Sequence, residues 1–445
     1  MAEGGLRAPE RHPIPWQDAD FADPAKLDAE TRRVFDICHG CRRCFNLCDS
    51  FPRLFDLIDE SPTGELDGVK SEDFASVVDL CTLCDMCFMV KCPYVPPHEF
   101  NVDFPHLMLR HRAVTAQAAK SGTFIRRQLK ETDLNGRLAR LVAPLANWAT
   151  RRGRRVIRRL MERIAGIHRN AELPKFHFRT LEMRALEAPA ADRTAAAHGR
   201  KVVVYATCFA NYNSPAIGEA ALDVLARNGV DASVVYPECC GMPQLEAGDL
   251  ARVSAKAERV AAKLAPWIAQ GYDVVTLVPS CALMLKSEWP LLVPGNEAVR
   301  RLSKATRDIS EYIVDIARKE GLAAGLRPLG GKVTLQIACH ARAQNVGPKA
   351  AEMLRLIPSM ELAVIERCSG HGGAWGVEVE HFPVGLKLGR PVARDAASQD
   401  SAYVVSECPL ARDHVVQGIE ALGHSTAAIQ PAQHPIQLLA EAYRS

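Results

Sequence analysis

The sequence predicts an α/β protein in which an all-α, cysteine-rich domain precedes a duplicated α/β unit with parallel strands. Three observations predict it. Eight of the fifteen cysteines crowd into two short runs, Cys38, Cys41, Cys44, Cys48 and then Cys81, Cys84, Cys87, Cys92. From His198 onward, short β-branched runs alternate with stretches of helical periodicity. The other seven cysteines recur at a near-constant offset: Cys339 follows Cys208 by 131 residues, Cys368 follows Cys239 by 129, and Cys408 follows Cys281 by 127.

Taken in order, residues 1–30 are polar and carry Pro9, Pro13, Pro15 and Pro24, the pattern of an extended arm. Residues 31–112 form the helical domain. Asp28–Ile37 leads into the first cysteine run, Phe51, Leu54, Phe55, Leu57 and Ile58 recur at helical spacing, and Ser71–Leu80 leads into the second run. Residues 113–197 form a connector. Leu138, Leu141, Val142, Leu145 and Trp148, then Val156, Ile157, Leu160, Met161 and Ile164, repeat with helical period, and arginines fill the other face. Leu134–Arg169 holds ten arginines and one acid, Glu162. That segment carries +9 of a chain total of +3, so the remainder sums to −6. Such a helix can lie in an anionic membrane interface or pack on a neighbouring domain. No nucleic-acid reader motif accompanies the charge, so nucleic acid is not an expected partner.

Residues 198–325 and 326–445 are the two halves of the repeat. In the first, strands over Lys201–Ala206, Ala232–Tyr236 and Asp273–Val278 end just before Cys208, Cys239-Cys240-Gly241 and Cys281, with helices over Ile217–Arg227 and Leu250–Gln270 between them. In the second, Lys332–Ala338, Glu361–Ile365 and Ala402–Val405 end before Cys339, Cys368 and Cys408, with a helix over Lys349–Leu356. Strand–helix alternation implies parallel pairing, and ligands of such sheets bind beyond the carboxyl ends of the strands. Three adjacent strand ends can therefore converge their thiols on one metal site in each half; the alternative is that these cysteines are buried as small hydrophobes.

The spacing of the first eight cysteines is that of [4Fe–4S] ligation. A cysteine at every third residue presents three thiolates from one loop, and the fourth comes from elsewhere. In two-cluster ferredoxins the last cysteine of each run serves the other cluster. That pattern assigns Cys38, Cys41, Cys44 and Cys92 to one cluster and Cys81, Cys84, Cys87 and Cys48 to the other. Pro93 follows Cys92 as the ferredoxin pattern expects, whereas Asp49 follows Cys48. A disulfide framework suits short secreted chains, and this chain has 445 residues with no apolar signal segment over Met1–Asp20. A zinc site has no place for the third cysteine of each run. Abundant thiols without a secretion signal imply a reducing, cytoplasmic setting. No apolar stretch reaches the ~20 residues that span a bilayer, and no Gly-x-Gly-x-x-Gly nucleotide fingerprint is present.

The repeated Cys…Cys-Cys-Gly…Cys pattern behind a two-cluster segment resembles the CCG-domain iron–sulfur proteins. That group includes catalytic subunits of heterodisulfide reductase and iron–sulfur subunits of anaerobic glycerol-3-phosphate dehydrogenase, glycolate oxidase and lactate oxidation systems. The layout is most similar to the glycerol-3-phosphate dehydrogenase type. The resemblance covers residues 31–445 and implies an electron-transfer subunit, with a flavoprotein dehydrogenase or a rubrerythrin-like protein as redox partner and a quinone or a protein as acceptor. If the basic amphipathic connector lies on lipid, the contact is a peripheral one at the inner face of the membrane. The family pattern has five thiolates per half. Here Val278 stands for one in the first half, leaving Cys208, Cys239, Cys240 and Cys281 for a third iron–sulfur cluster or zinc. In the second half Ser369 and Val405 stand for two, leaving Cys339, Cys368 and Cys408. Completing that set takes His340, His371 or an outside ligand, unless both histidines are ordinary surface or capping residues. The losses count against the family's disulfide-reducing activity, which stands as the alternative function.

Overall fold

The computed structural model describes residues 7–118 and 128–444. The first six residues of the arm and residues 119–127 of the connector lie outside the described residues. The N-terminal region is helical. Helix α1 (Pro24–Cys41) begins four residues earlier than its periodicity suggests, because Pro24 occupies the first helical position and Asp23 caps the Ala25 and Lys26 amides. α2 (Ser50–Asp59), α3 (Ala75–Leu80) and α4 (Phe104–Ala118) complete the domain. Phe35, Phe51, Phe74 and Phe104 pack into its centre, with the Phe51 and Phe104 rings 4.6 Å apart.

The arm is docked. Arg11 is buried among Asp85 (2.7 Å), Asp103 (3.0 Å) and Glu288 (3.0 Å), which joins the arm, the second cysteine loop, α4 and the first half of the repeat. Where the periodicity reads as one continuous run up to Trp148, the described residues hold α5 (Thr132–Leu141) and α6 (Ala143–Thr150), broken at Val142, with α7 (Arg155–Ala165) following a second break near Gly153. Its burial is the reverse of an ordinary packed helix. Val156, Leu160 and Ile164 are 81, 56 and 59% exposed, while Arg158, at 1%, donates to the carbonyls of Thr150, His168, Arg169 and Ala171. Those four acceptors stand in for water around a guanidinium with no other exit.

The repeat is two parallel sheets. β1 (Lys201–Tyr205), β2 (Asp231–Val235), β3 (Asp273–Thr276) and β4 (Thr306–Asp308) lie in the order β2-β1-β3-β4; β5 (Val333–Gln336), β6 (Leu362–Ile365) and β7 (Tyr403–Ser406) lie in the order β6-β5-β7. The core of each half thus has the same connectivity, and β4 is an addition to the first. Alternation along β1 sends Val203 and Tyr205 into a core shared with the N-terminal helices, and Val202 and Val204 into a core shared with the second sheet. A third core lies beneath β6, β7 and the helix Phe382–Ala397, around Val392, Val404 and Val415.

The second half is tied to the helical domain through His381, which bonds Asp79 at 2.7 Å and Glu378 at 3.2 Å. Burial alone would lower its pKa, but the two carboxylates lift it to about 9 from 6.5. The stabilisation from charged His381 is complete below pH 6.5 and fades as pH rises through about 9. Melting temperature should therefore fall across that window, and His381→Gln should flatten the slope; an unchanged slope in the variant refutes the assignment.

Candidate metal centres and the cavity between the repeats

Cys38 and Cys41 end α1, and Arg42 turns the chain in a left-handed conformation (φ 52°) with its amide on the Cys38 carbonyl at 2.8 Å. In the second loop Leu83 (φ 50°) and Asp85 (φ 65°) are left-handed, an uncommon state for these residues that wraps the backbone around the thiols of Cys81, Cys84 and Cys87. Cys87–Lys91 forms one π-helical turn that brings the Cys92 amide onto the Cys87 carbonyl at 2.8 Å.

These loops gather eight thiols into two groups. Cys38, Cys41, Cys44 and Cys92 line one small apolar pocket with Ile37, Phe51 and Phe55. Burial, and then the neighbouring Cys92 and Cys41, push the Cys44 thiol up to about 12. Burial, then Cys84 and Cys81, likewise raise Cys48, and Cys87 is raised by burial and by Cys84, Cys81 and Cys48. The last cysteine of each run thus sits with the other run. Crowded buried thiolates repel one another and stay ionised only beside a cationic centre, so each group suits a thiolate-bound metal cluster.

In the first half of the repeat, Cys208 opens the short helix Cys208–Tyr212 after β1, Cys239 and Cys240 follow β2, and Cys281 lies in the short helix Pro279–Leu283 after β3. Cys208 and Cys239 are 3.6 Å apart at sulfur, and Cys240 and Cys281 are 3.2 Å apart. Gly241 (φ 87°) turns its amide onto the Cys239 sulfur at 3.5 Å. Asp133 on α5 accepts from the Cys239 amide (3.0 Å), from Lys256 (2.9 Å) and from the Tyr236 hydroxyl. Hydrogen bonds from Cys208 and Cys240, with Lys256 nearby, favour the thiolate of Cys239. Sequence reasoning missed Asp133 and Lys256: neither belongs to a spacing motif, and they meet Cys239 only through tertiary packing.

The second half repeats the turn. Gly370 (φ 74°) directs its amide onto the Cys368 sulfur at 3.3 Å, as Gly241 does for Cys239, and Ser369 occupies the position equivalent to Cys240. Cys339 opens the helix Cys339–Ala343, and Cys408 caps the helix Pro409–Ala421. Cys339 and Cys84 pack against the same small cluster of Met86, Leu283 and Ala343, and the neighbouring Cys368 and Cys84 raise the Cys339 thiol well above its ordinary value. Cys339, with the Gly370 amide, brings Cys368 down to about 7.

All seven C-terminal cysteines, together with Cys84, line one cavity of about 300 Å³ between the two halves. The halves meet across it where Ser280 bonds His340 Nδ1 at 2.8 Å, and His340 Nε2 is 3.4 Å from the Leu83 carbonyl. His340 is therefore engaged at both nitrogens. His371 lines the cavity. Its Nε2 is buried without a hydrogen-bond partner, unlike a surface or capping histidine. Glu246 also lines the cavity, and burial holds its carboxyl up at about 7 despite Arg112 and Lys130. Among the described residues no three His, Cys, Asp or Glu side chains converge on a single point, as a lone metal ion requires.

The family model for the cysteine-rich domain CCG matches residues 202–286 and again residues 333–410. The chain carries the CCG domain twice. Over 325 residues the chain is 29% identical to one subunit of the anaerobic glycerol-3-phosphate dehydrogenase of Escherichia coli K12, covering 71% of this chain and 76% of that protein. It is 28% identical over 231 residues to one subunit of the fumarate reductase (CoM/CoB) of Methanothermobacter marburgensis, covering 51% of this chain and 43% of that protein. With lactate utilization protein A of Geobacillus kaustophilus it shares 29% over 190 residues, or 40% of this chain and 75% of that protein.

The second CCG turn tolerates no side chain at Gly370, where a Cβ would stand 2.0 Å from the Gly385 carbonyl oxygen. Gly271 has a similar φ of +84° but open space around it. Gly271→Ala should cost about 1 kcal/mol of backbone strain, and Gly370→Ala about 3 kcal/mol or more, measured by denaturant unfolding. Equal losses would show that the approach of Gly385 to the turn is relaxed in solution.

Proposed function

We propose that this chain is an iron–sulfur electron-transfer subunit. It relays electrons from a flavoprotein dehydrogenase, or from another donor such as a rubrerythrin-like protein, to the CCG module and on to a quinone or protein acceptor. The observation that carries this reading is the place of Cys84, which belongs to the second N-terminal thiol group and also lines the C-terminal cavity with Cys339. In this reading Cys38, Cys41, Cys44 and Cys92 hold one [4Fe–4S] cluster, and Cys48, Cys81, Cys84 and Cys87 hold the second. Cys208, Cys239, Cys240 and Cys281 hold a third cluster or zinc. When bound, such clusters supply one-electron storage at potentials tuned by hydrogen bonds to sulfur and by solvent exclusion. The chain supplies those controls: Phe51 and Phe55 wall off the first group, and Gly241 directs its amide at the Cys239 sulfur. The named relatives include subunits of a dehydrogenase and of a reductase, which supports the reading.

The exposed apolar face of the connector, flanked by arginines, belongs to the same reading as a peripheral contact with anionic lipid on the cytoplasmic side of the membrane. No helix among the described residues is long and apolar enough to cross a bilayer. A second reading, a disulfide reductase of the heterodisulfide type, is favoured by the cavity itself, which carries thiols of both halves. The missing family thiolates at Val278, Ser369 and Val405 rank it second.

Anaerobic reconstitution should load at least about eight irons per chain. Cys240→Ser should remove the signal of the first CCG site and leave those of the N-terminal clusters. A chain that holds only zinc after anaerobic isolation sinks the relay. For the membrane contact, replacing Val156, Leu160 and Ile164 together by serine should abolish flotation with vesicles rich in anionic lipid and leave the fold intact. Undiminished flotation would refute it.

A further inference from the structure

The second CCG half has three thiols at three adjacent strand ends, all facing the cavity, and a four-donor cluster needs one more ligand. The geometry points to His371 as that ligand, completing a Cys339, Cys368, Cys408 and His371 set around an iron–sulfur cluster of its own. This rests on the reading above, that the thiol groups of this chain hold such clusters.

The assignment comes from elimination on the cavity wall. Ser369, in the place of Cys240, already accepts the His371 amide at 3.4 Å and has no thiolate to offer. His340 is engaged by Ser280 and by the Leu83 carbonyl. Cys84 neighbours Cys339 but is one of only four thiols in its N-terminal group, and recruiting it would leave that group one donor short. His371 has no competing claim. It lines the cavity and its Nε2 is buried with no partner, a state that costs free energy in a finished protein unless something binds the nitrogen. His414 and His434 share that orphaned atom, but neither lines the cavity.

The turn explains how a histidine can stand in for a cysteine. Gly370, Gly372 and Gly373 all have positive φ (74°, 58° and 62°), a run open to glycine and closed to most residues, and the turn keeps His371 on the same cavity wall as Cys368. An imidazole is longer than a thiol, so a donor two residues beyond Ser369 can reach where a cysteine at that position would have reached. Among the described residues no three such donors converge on a point, as a single tetrahedral ion would require. A neutral imidazole in place of a thiolate leaves the site less negative and raises its reduction potential, as histidine ligation does in other iron–sulfur proteins.

The test uses the full chain, reconstituted anaerobically with iron and sulfide, with its histidines labelled with ¹⁵N, and reduced stepwise. Pulsed EPR of the wild type should show a histidine-nitrogen coupling on one cluster, the first to be reduced. His371→Ala should remove that coupling and lose about four irons per chain, leaving the N-terminal signals in place. His371→Cys should regain the irons without the nitrogen coupling and at a lower potential, which separates ligation from folding. Full iron and an unchanged coupling in His371→Ala would overturn the proposal. So would a wild type with the N-terminal clusters but no histidine coupling, an outcome that leaves the relay standing. Loss of the N-terminal clusters themselves would remove the relay and this site together.

Discussion

The arrangement depends on Arg11. Its guanidinium meets Asp85 from the second cysteine loop, Asp103 at the start of α4 and Glu288 from the first CCG half, with His106 beside Glu288. Five groups that would each be costly to bury alone are satisfied together. Such a network adds little net stability but admits one docking of four chain segments. That docking sets the Cys81–Cys92 loop over the mouth of the cavity. Arg112 reinforces it from α4 by bonding the carbonyls of Val78, Cys81 and Glu246. The approach of Cys84 to Cys339 thus depends on a charge network that begins at the next residue, Asp85.

The connector shows the same economy in reverse. A guanidinium at Arg158 fills the inside of a turn that an apolar side chain would ordinarily fill, and four carbonyls answer it. Val156, Leu160 and Ile164 are left outside, together with Arg155, Arg159 and Arg163. Periodicity alone cannot show that one residue of the basic stripe turns inward. Only the location of the carbonyls decides it.

The central strands were legible because valine-rich runs with two-residue alternation have no helical reading, and cysteines directly after them had to fall at strand ends. β4 escaped because three residues, Thr306–Asp308, carry no pattern of their own. The helix Phe382–Ala397 was hidden by Gly385, Gly389 and Pro391, yet Gly385 and Gly389 are what let it approach the Cys368 turn. Pro24 read as a breaker and proved to be a helix start. Around the site, residue types and their spacing named the thiols. They could not name Asp133, Lys256 or the free nitrogen of His371, because each depends on which distant segments the fold sets side by side.

The crossing of the last cysteine of each run has a consequence for biosynthesis. The group that needs Cys48, Cys81, Cys84 and Cys87 has all its donors once residue 87 has been made, whereas the group begun earlier, at Cys38, waits for Cys92. The cavity waits longest: its first wall is complete at Cys281 and its second only at Cys408. Until then Cys84 and Cys339 have no cover, and the sulfur-rich interior stands open to oxygen and to stray metal.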